Sequence, residues 1–87
     1  MSRQHHYLKT ETEFYQAVES GRKTFEVRLN DRNFKEYDMI HLEEVVQGIP
    51  TGRRLEPKEI TYVLKGGQFG IAPEYCIFCW HDVYWQE

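Results

Sequence analysis

The 87 residues suffice for one domain, 1–87, and leave no room for a second. Apolar residues make up 40% of the chain and aromatics 15%, which argues against a disordered segment, and no apolar run nears the roughly 20 residues of a membrane helix. The net charge of −3 argues against a protein that grips a long duplex by its phosphates. Met1-Ser2-Arg3-Gln4-His5-His6 lacks the apolar stretch of a signal peptide, so a cytoplasmic protein without a membrane partner is expected.

In chain order, His5 and His6 sit close to a terminus that is expected to fray. Thr10-Glu11-Thr12-Glu13 has the form of a capping box, and Phe14, Ala17 and Val18 then follow at helical spacing. The pattern predicts a helix over Glu11 to Ser20, stopped by Gly21. From Thr24 the period changes to two: Phe25, Val27 and Leu29 point one way, Thr24, Glu26 and Arg28 the other. Asn30-Asp31-Arg32-Asn33 is turn chemistry. Met39 to Val46 and Glu59 to Leu64 read as strands, and Gly48 to Pro57, rich in Gly and Pro, as the loop between them. Gly66-Gly67 breaks the chain before a last strand near Tyr75 to Trp85. Its segment Tyr75 to Trp80 is apolar enough to expect burial on both sides. The outcome is a mostly β (α+β) domain, a small β-barrel of about five strands with one α-helix in its N-terminal half.

Cys76 and Cys79 have the C-x-x-C spacing of redox and zinc motifs. On a strand, however, residues three apart face opposite sides, so two buried free thiols are expected instead. His41 and His81 fall in predicted strands with no spaced carboxylate or Cys partner. No metal and no cofactor are therefore expected.

Charge is unevenly spread. Arg22, Lys23, Arg28, Arg32 and Lys35 face only Glu26 and Asp31 between residues 22 and 35, so this stretch carries +3 and the rest of the chain −6. A basic rim on an acidic body suits a small anionic ligand or a short single strand, and equally describes ordinary surface charge. Within it, Thr24, Glu26 and Arg28 place a hydroxyl, a carboxylate and a guanidinium on one side of one strand. Two readings stand: a binding face, or a surface ion pair between Glu26 and Arg28.

The chain resembles the ASCH domains, and more closely a family of small bacterial and phage proteins of unknown function in the PUA-like group. The matching pieces are His6-x-Leu8-Lys9, Gly21-x-Lys23-Thr24-Phe25-Glu26-x-Arg28 and Asn30-Asp31-Arg32-x-Phe34. Thr51-Gly52-Arg53, Ile60-Thr61-Tyr62-Val63 and Phe69-Gly70-Ile71 follow in order. One departure is visible: relatives usually carry Gly before the aspartate that opens the next strand, and Tyr37 precedes Asp38 here. Tyr37 is then an added stacking group or a turn residue.

The resemblance implies a PUA-like barrel whose cleft is lined by the Gly-x-Lys motif and takes RNA or a modified nucleotide. Lys23 and Arg28 would hold a phosphate or a carbonyl and Glu26 an amino edge, while Thr24, Asn30, Asp31 and Arg32 complete the ligand-binding set. Tyr62, Phe69 or Tyr75 would stack on a base, with core packing as the alternative for each. Some ASCH proteins hydrolyse N-acetylated cytidine with a lysine, a threonine three residues later and a downstream glutamate. Lys23 falls on that lysine, but the threonine position holds Glu26. A small amidohydrolase built on Lys23 and Glu26, with Glu44 or Glu74 as a further carboxylate, is thus the rival expectation. A third is a protein-interaction module using Val83-Tyr84-Trp85.

Overall fold

The computed structural model describes residues 3–83. Six strands and one helix follow in the order β1 (His5–Glu11), α1 (Thr12–Glu19), β2 (Phe25–Leu29), β3 (Met39–Val46), β4 (Ile49–Arg54), β5 (Lys58–Lys65) and β6 (Tyr75–Asp82). All strands belong to one sheet, ordered β1-β3-β5-β6-β2, with β4 paired to β3 beside β5. The sheet curls into a half-barrel whose two end strands, β1 and β2, face each other.

Side chains rather than a backbone ladder bridge that seam. Arg28 on β2 donates from Nη2 to the Lys9 carbonyl at 3.0 Å and to Thr10 Oγ1 at 3.3 Å. Arg32, just past β2, donates to the Tyr7 carbonyl at 3.1 Å. Edge carbonyls of β1 that would otherwise meet only water thereby acquire charged donors.

Two strands were hidden in the sequence. β1 buries His6, Leu8 and Thr10, two of them polar, so its alternation carries no hydrophobic signal. The expected fraying of His5 and His6 does not occur: both pair with β3, and His6 Nε2 meets Asp38 Oδ2 at 2.9 Å. The Gly48 to Pro57 loop is largely strand β4, reached by a tight turn in which Gln47 and Gly48 both take positive φ, 49° and 80°. Every residue of β4 is exposed, and an edge strand tolerates Pro50 because one row of its amides needs no partner. The Glu11 carboxylate accepts from the Gln47 and Gly48 amides at 3.0 Å each, so it holds the β3–β4 turn.

The helix differs in detail. Thr10 belongs to β1, Glu11 is the capping position without a side-chain cap bond, and the capping box does not form. Tyr15 and Val18 face inward while Phe14 is half exposed. Gly21 ends the helix as expected, at a φ of 82°.

The core contains Leu8, Val18, Phe34, Ile40, Leu42, Ile60, Cys76 and Phe78. Phe34 and Phe78 anchor it, ring centroids 4.7 Å apart. β6 is buried on one side only, which corrects the expectation for Tyr75 to Trp80: Cys76 and Phe78 point in, whereas Tyr75, Ile77 and Cys79 reach the outer face. The two thiols are free and on opposite faces; Cys79 is only half-buried. Burial, together with the Asp31 charge, pushes the Cys76 thiol above its ordinary pKa. No helix among the described residues is long and apolar enough to cross a membrane. Tyr84 and Trp85 of the proposed interaction segment, and the expected end of the last strand, lie outside the described residues.

Candidate functional site

β2 carries the candidate motif, and its polar row is the one turned inward. Glu26 is 4% exposed and points into the half-barrel with Arg28, whereas Phe25, Val27 and Leu29 point to solvent. A sheet face normally turns its apolar row inward. Here the inner row instead faces the polar mouth of the seam, where Glu26 finds cations.

Both oxygens of the buried carboxylate are engaged. Lys23 Nζ contacts Glu26 Oε1, and Arg28 Nε donates to Glu26 Oε2 at 2.8 Å. Lys23 also donates to the Phe25 carbonyl at 2.8 Å, and its ammonium lies 5.1 Å from the Phe25 ring centre and 5.5 Å from that of Phe14. Two of the three Lys23 N–H groups are thus used, and Arg28 uses Nε and Nη2. The third ammonium proton and Arg28 Nη1 have no partner among the described residues. The Glu26–Arg28 pair that the sequence offered as ordinary surface chemistry exists, but it is buried at its carboxylate end and includes Lys23.

These groups floor a hollow of about 480 Å³ along the seam, lined on the β2 side by Lys23, Phe25, Glu26, Val27 and Arg28 and on the other by Lys9, Thr10, Glu11 and Phe14. Of the candidate residues, the structure brings together Lys23, Glu26 and Arg28. Thr24 precedes β2, is exposed, and lines a neighbouring hollow of about 590 Å³ with Val18, Leu55 and Trp80, of which Lys23 also forms part of the wall. Asn30 shapes the turn: its Oδ1 accepts from the Phe34 amide at 3.2 Å and its amide donates to the Glu74 carbonyl at 2.8 Å. Asp31 is exposed, and Arg32 is committed to β1. Tyr62, Phe69 and Tyr75 are all exposed, at 56%, 83% and 41%, so none is a core residue. Tyr62 and Tyr75 sit on the outer face, away from Glu26, and do not join its cluster.

The residues that sequence reasoning missed are Lys9, Thr10 and Phe14, all from the far side of the seam. Only the His6-x-Leu8-Lys9 resemblance marked that stretch, and the helical pattern placed Phe14 inward. Of the further carboxylates, Glu74 is exposed in the loop before β6. Glu44 is buried and accepts from Thr12 Oγ1 at 2.7 Å and Thr51 Oγ1 at 2.8 Å, bonds that hold its carboxyl below the ordinary value. Tyr37 is exposed at a φ of 76°, donating its amide to the Ile60 carbonyl at 2.8 Å, which makes it a turn residue where Gly is the easier choice. His81 does have a carboxylate partner, Glu59 at 2.6 Å. Among the described residues no three His, Cys, Asp or Glu side chains are placed to hold a metal ion.

The family model described as DUF3850, a domain of unknown function, matches residues 5–79. The chain belongs to the DUF3850 family. The match takes in both sides of the seam, β1 as well as the Lys23–Arg28 segment. The chain is also similar to the uncharacterized 12.9 kDa protein in the GpA 3' region of Escherichia phage P2, 38% identical over 53 residues. That match covers 61% of this chain and 49% of the relative, so the chain spans about half the length of the curated relative it matches.

Proposed function

We propose that this DUF3850 chain is an ASCH-type, PUA-like domain that binds a nucleoside, nucleotide or short single-stranded RNA in the seam hollow. The observation that carries the reading is the convergence of Lys23 and Arg28, each with a donor to spare, between two half-exposed rings, Phe14 and Phe25. Glu26, with each oxygen engaged by one cation, holds Lys23 and Arg28 in place, and its remaining lone pairs can still accept from an amino edge. Flat heterocycles stack on such rings while cations take a carbonyl or phosphate oxygen. The modest size of the hollow and the chain's net charge of −3 favour a small ligand over a duplex.

The test is a titration of isotope-labelled protein with nucleosides, mononucleotides and short RNAs, followed by NMR. Shifts are expected at Lys23, Arg28, Phe14 and Phe25, with affinity weakened at least about fivefold by Phe14→Ala, in line with a stacking contribution of about 1–3 kcal/mol. No shift with any of these compounds at millimolar concentration sinks the proposal. The contact between Lys23 and buried Glu26 favours one second reading, hydrolysis of an N-acylated nucleoside. Acetate released from N-acetylcytidine, and abolished in Lys23→Ala, would decide for it.

A further inference from the structure

The outer face of β2, β6 and β5 is apolar wherever the three strands are in register. Phe25, Val27 and Leu29 pair with Cys79, Ile77 and Tyr75. Tyr62 and Leu64 of β5 continue the same rows beside Cys79 and Ile77. None of the eight positions carries a charge, and α1 packs against β1 and β3 instead. We propose that this face is where a second copy of the chain docks, by a two-fold contact between the two outer faces.

Two arguments select a second copy. The first is area. Taking about 200 Å² for an aromatic side chain, exposures near one half at Phe25, Tyr62 and Tyr75, with Val27 and Leu29 beside them, leave a patch of roughly 500 Å². At the roughly 60% apolar content of interfaces, such a core corresponds to about 800 Å² per partner, the area a stable complex needs. The second is charge. A two-fold axis sets residues near it against their own copies, so any charge there meets its like; eight uncharged positions remove that cost. A nucleic acid strand stacked on the same aromatics would need cations along the rows, and none of the eight positions supplies one; the Lys23 ammonium touches the face only at the Phe25 ring, where Glu26 already pairs it. Cys79 lies in the middle row, between Phe25 and Tyr62, and reports on cover without being needed for it.

The experiment is sedimentation of the whole chain from about 1 to 200 µM, with the rate of Cys79 alkylation measured at the same concentrations. A reversible dimer is expected, with alkylation slowing several-fold as it forms, while buried Cys76 stays inert as a check on folding. Val27→Asp and, separately, Tyr62→Ser each weaken association more than about tenfold with the far-ultraviolet circular dichroism retained, whereas Ile49→Asp, on β4, changes nothing. The proposal fails if the protein is monomeric throughout, or if a dimer forms in which Cys79 reacts as fast as in the monomer. It also fails if both face variants fold and associate normally, or if RNA rather than a second copy protects Cys79.

Discussion

Glu26 and Val27 are neighbours on β2, yet Glu26 is 4% exposed and Val27 51%. On the inner side of the strand, a carboxylate with both oxygens engaged joins Lys23 and Arg28, and through Arg28 reaches the carbonyl of Lys9 across the seam. On the outer side, Phe25, Val27 and Leu29 form part of an apolar sheet surface that nothing covers among the described residues. The polar row is held inside by ion pairs, and the apolar row is left open to solvent among the described residues. Burial follows where compensation is available: a charge can go inside when two cations and a strand edge await it, and an apolar row can stay outside when the opposite face closes the barrel.

The largest effect that would sharpen this contrast is Glu26→Ala. It leaves Lys23 and Arg28 unpaired at the mouth of the half-barrel, and because both are partly open to water the expected loss is about 2–4 kcal/mol, read from urea unfolding. A loss below about 0.5 kcal/mol would mean that the inner cluster is surface chemistry after all.

Arg28→Ala comes next, at about 1–2 kcal/mol. It removes one partner of Glu26 and the bond to the Lys9 carbonyl, and the measured sign of seam opening is faster amide exchange along β1. Unchanged exchange in β1 would show that the half-barrel holds its curvature without that bridge.

A pH effect, expected to be smaller than that of Glu26→Ala, separates the apolar part of the outer face from the part over β1 and β3. There His41 is stacked on Tyr7, with ring centroids 4.4 Å apart, and its Nε2 meets His5 Nδ1 at 2.9 Å. Burial first, then His5 and Arg54, hold the His41 imidazole below its ordinary pKa of 6.5, against an opposing pull from Glu43. The unfolded chain therefore takes up the proton first, and stability falls as the pH drops below about 6.5 until the native imidazole is also charged. His41→Gln is expected to flatten that part of the stability profile, and a profile unchanged by the substitution overturns the assignment.

The smallest effect belongs to Val27→Ser at low protein concentration, where less than about 1 kcal/mol is expected because the side chain is half exposed already. A cost rivalling that of Glu26→Ala under those conditions would show that the outer face is covered within the monomer.

How far the sequence could be read differs from element to element. The helix, its glycine stop and strands β2 and β3 were legible from their periods, and β5 and β6 from their runs of apolar and β-branched residues. β1 was not, since its buried positions include His6 and Thr10, whose partners Asp38 and Arg28 are 32 and 18 residues away. β4 was not, because a wholly exposed edge strand has no alternation to detect. Of the site, Lys23, Glu26 and Arg28 were legible as a motif. Thr24 lies just before β2 and opens on a neighbouring hollow that also touches Lys23, and Tyr62 and Tyr75 lie on the outer face; an alternating pattern gives rows and not the side that each row faces.

The sequence by itself determined a mostly β chain with one short helix, two thiols held apart on opposite faces, and a polar row alternating with an apolar one through residues 24–29. The tertiary structure alone decided which of those rows is inside. That choice depends on cations and carbonyls contributed by Lys23 and by β1, groups brought to Glu26 and Arg28 by the curl of the whole sheet and not by any local preference of β2.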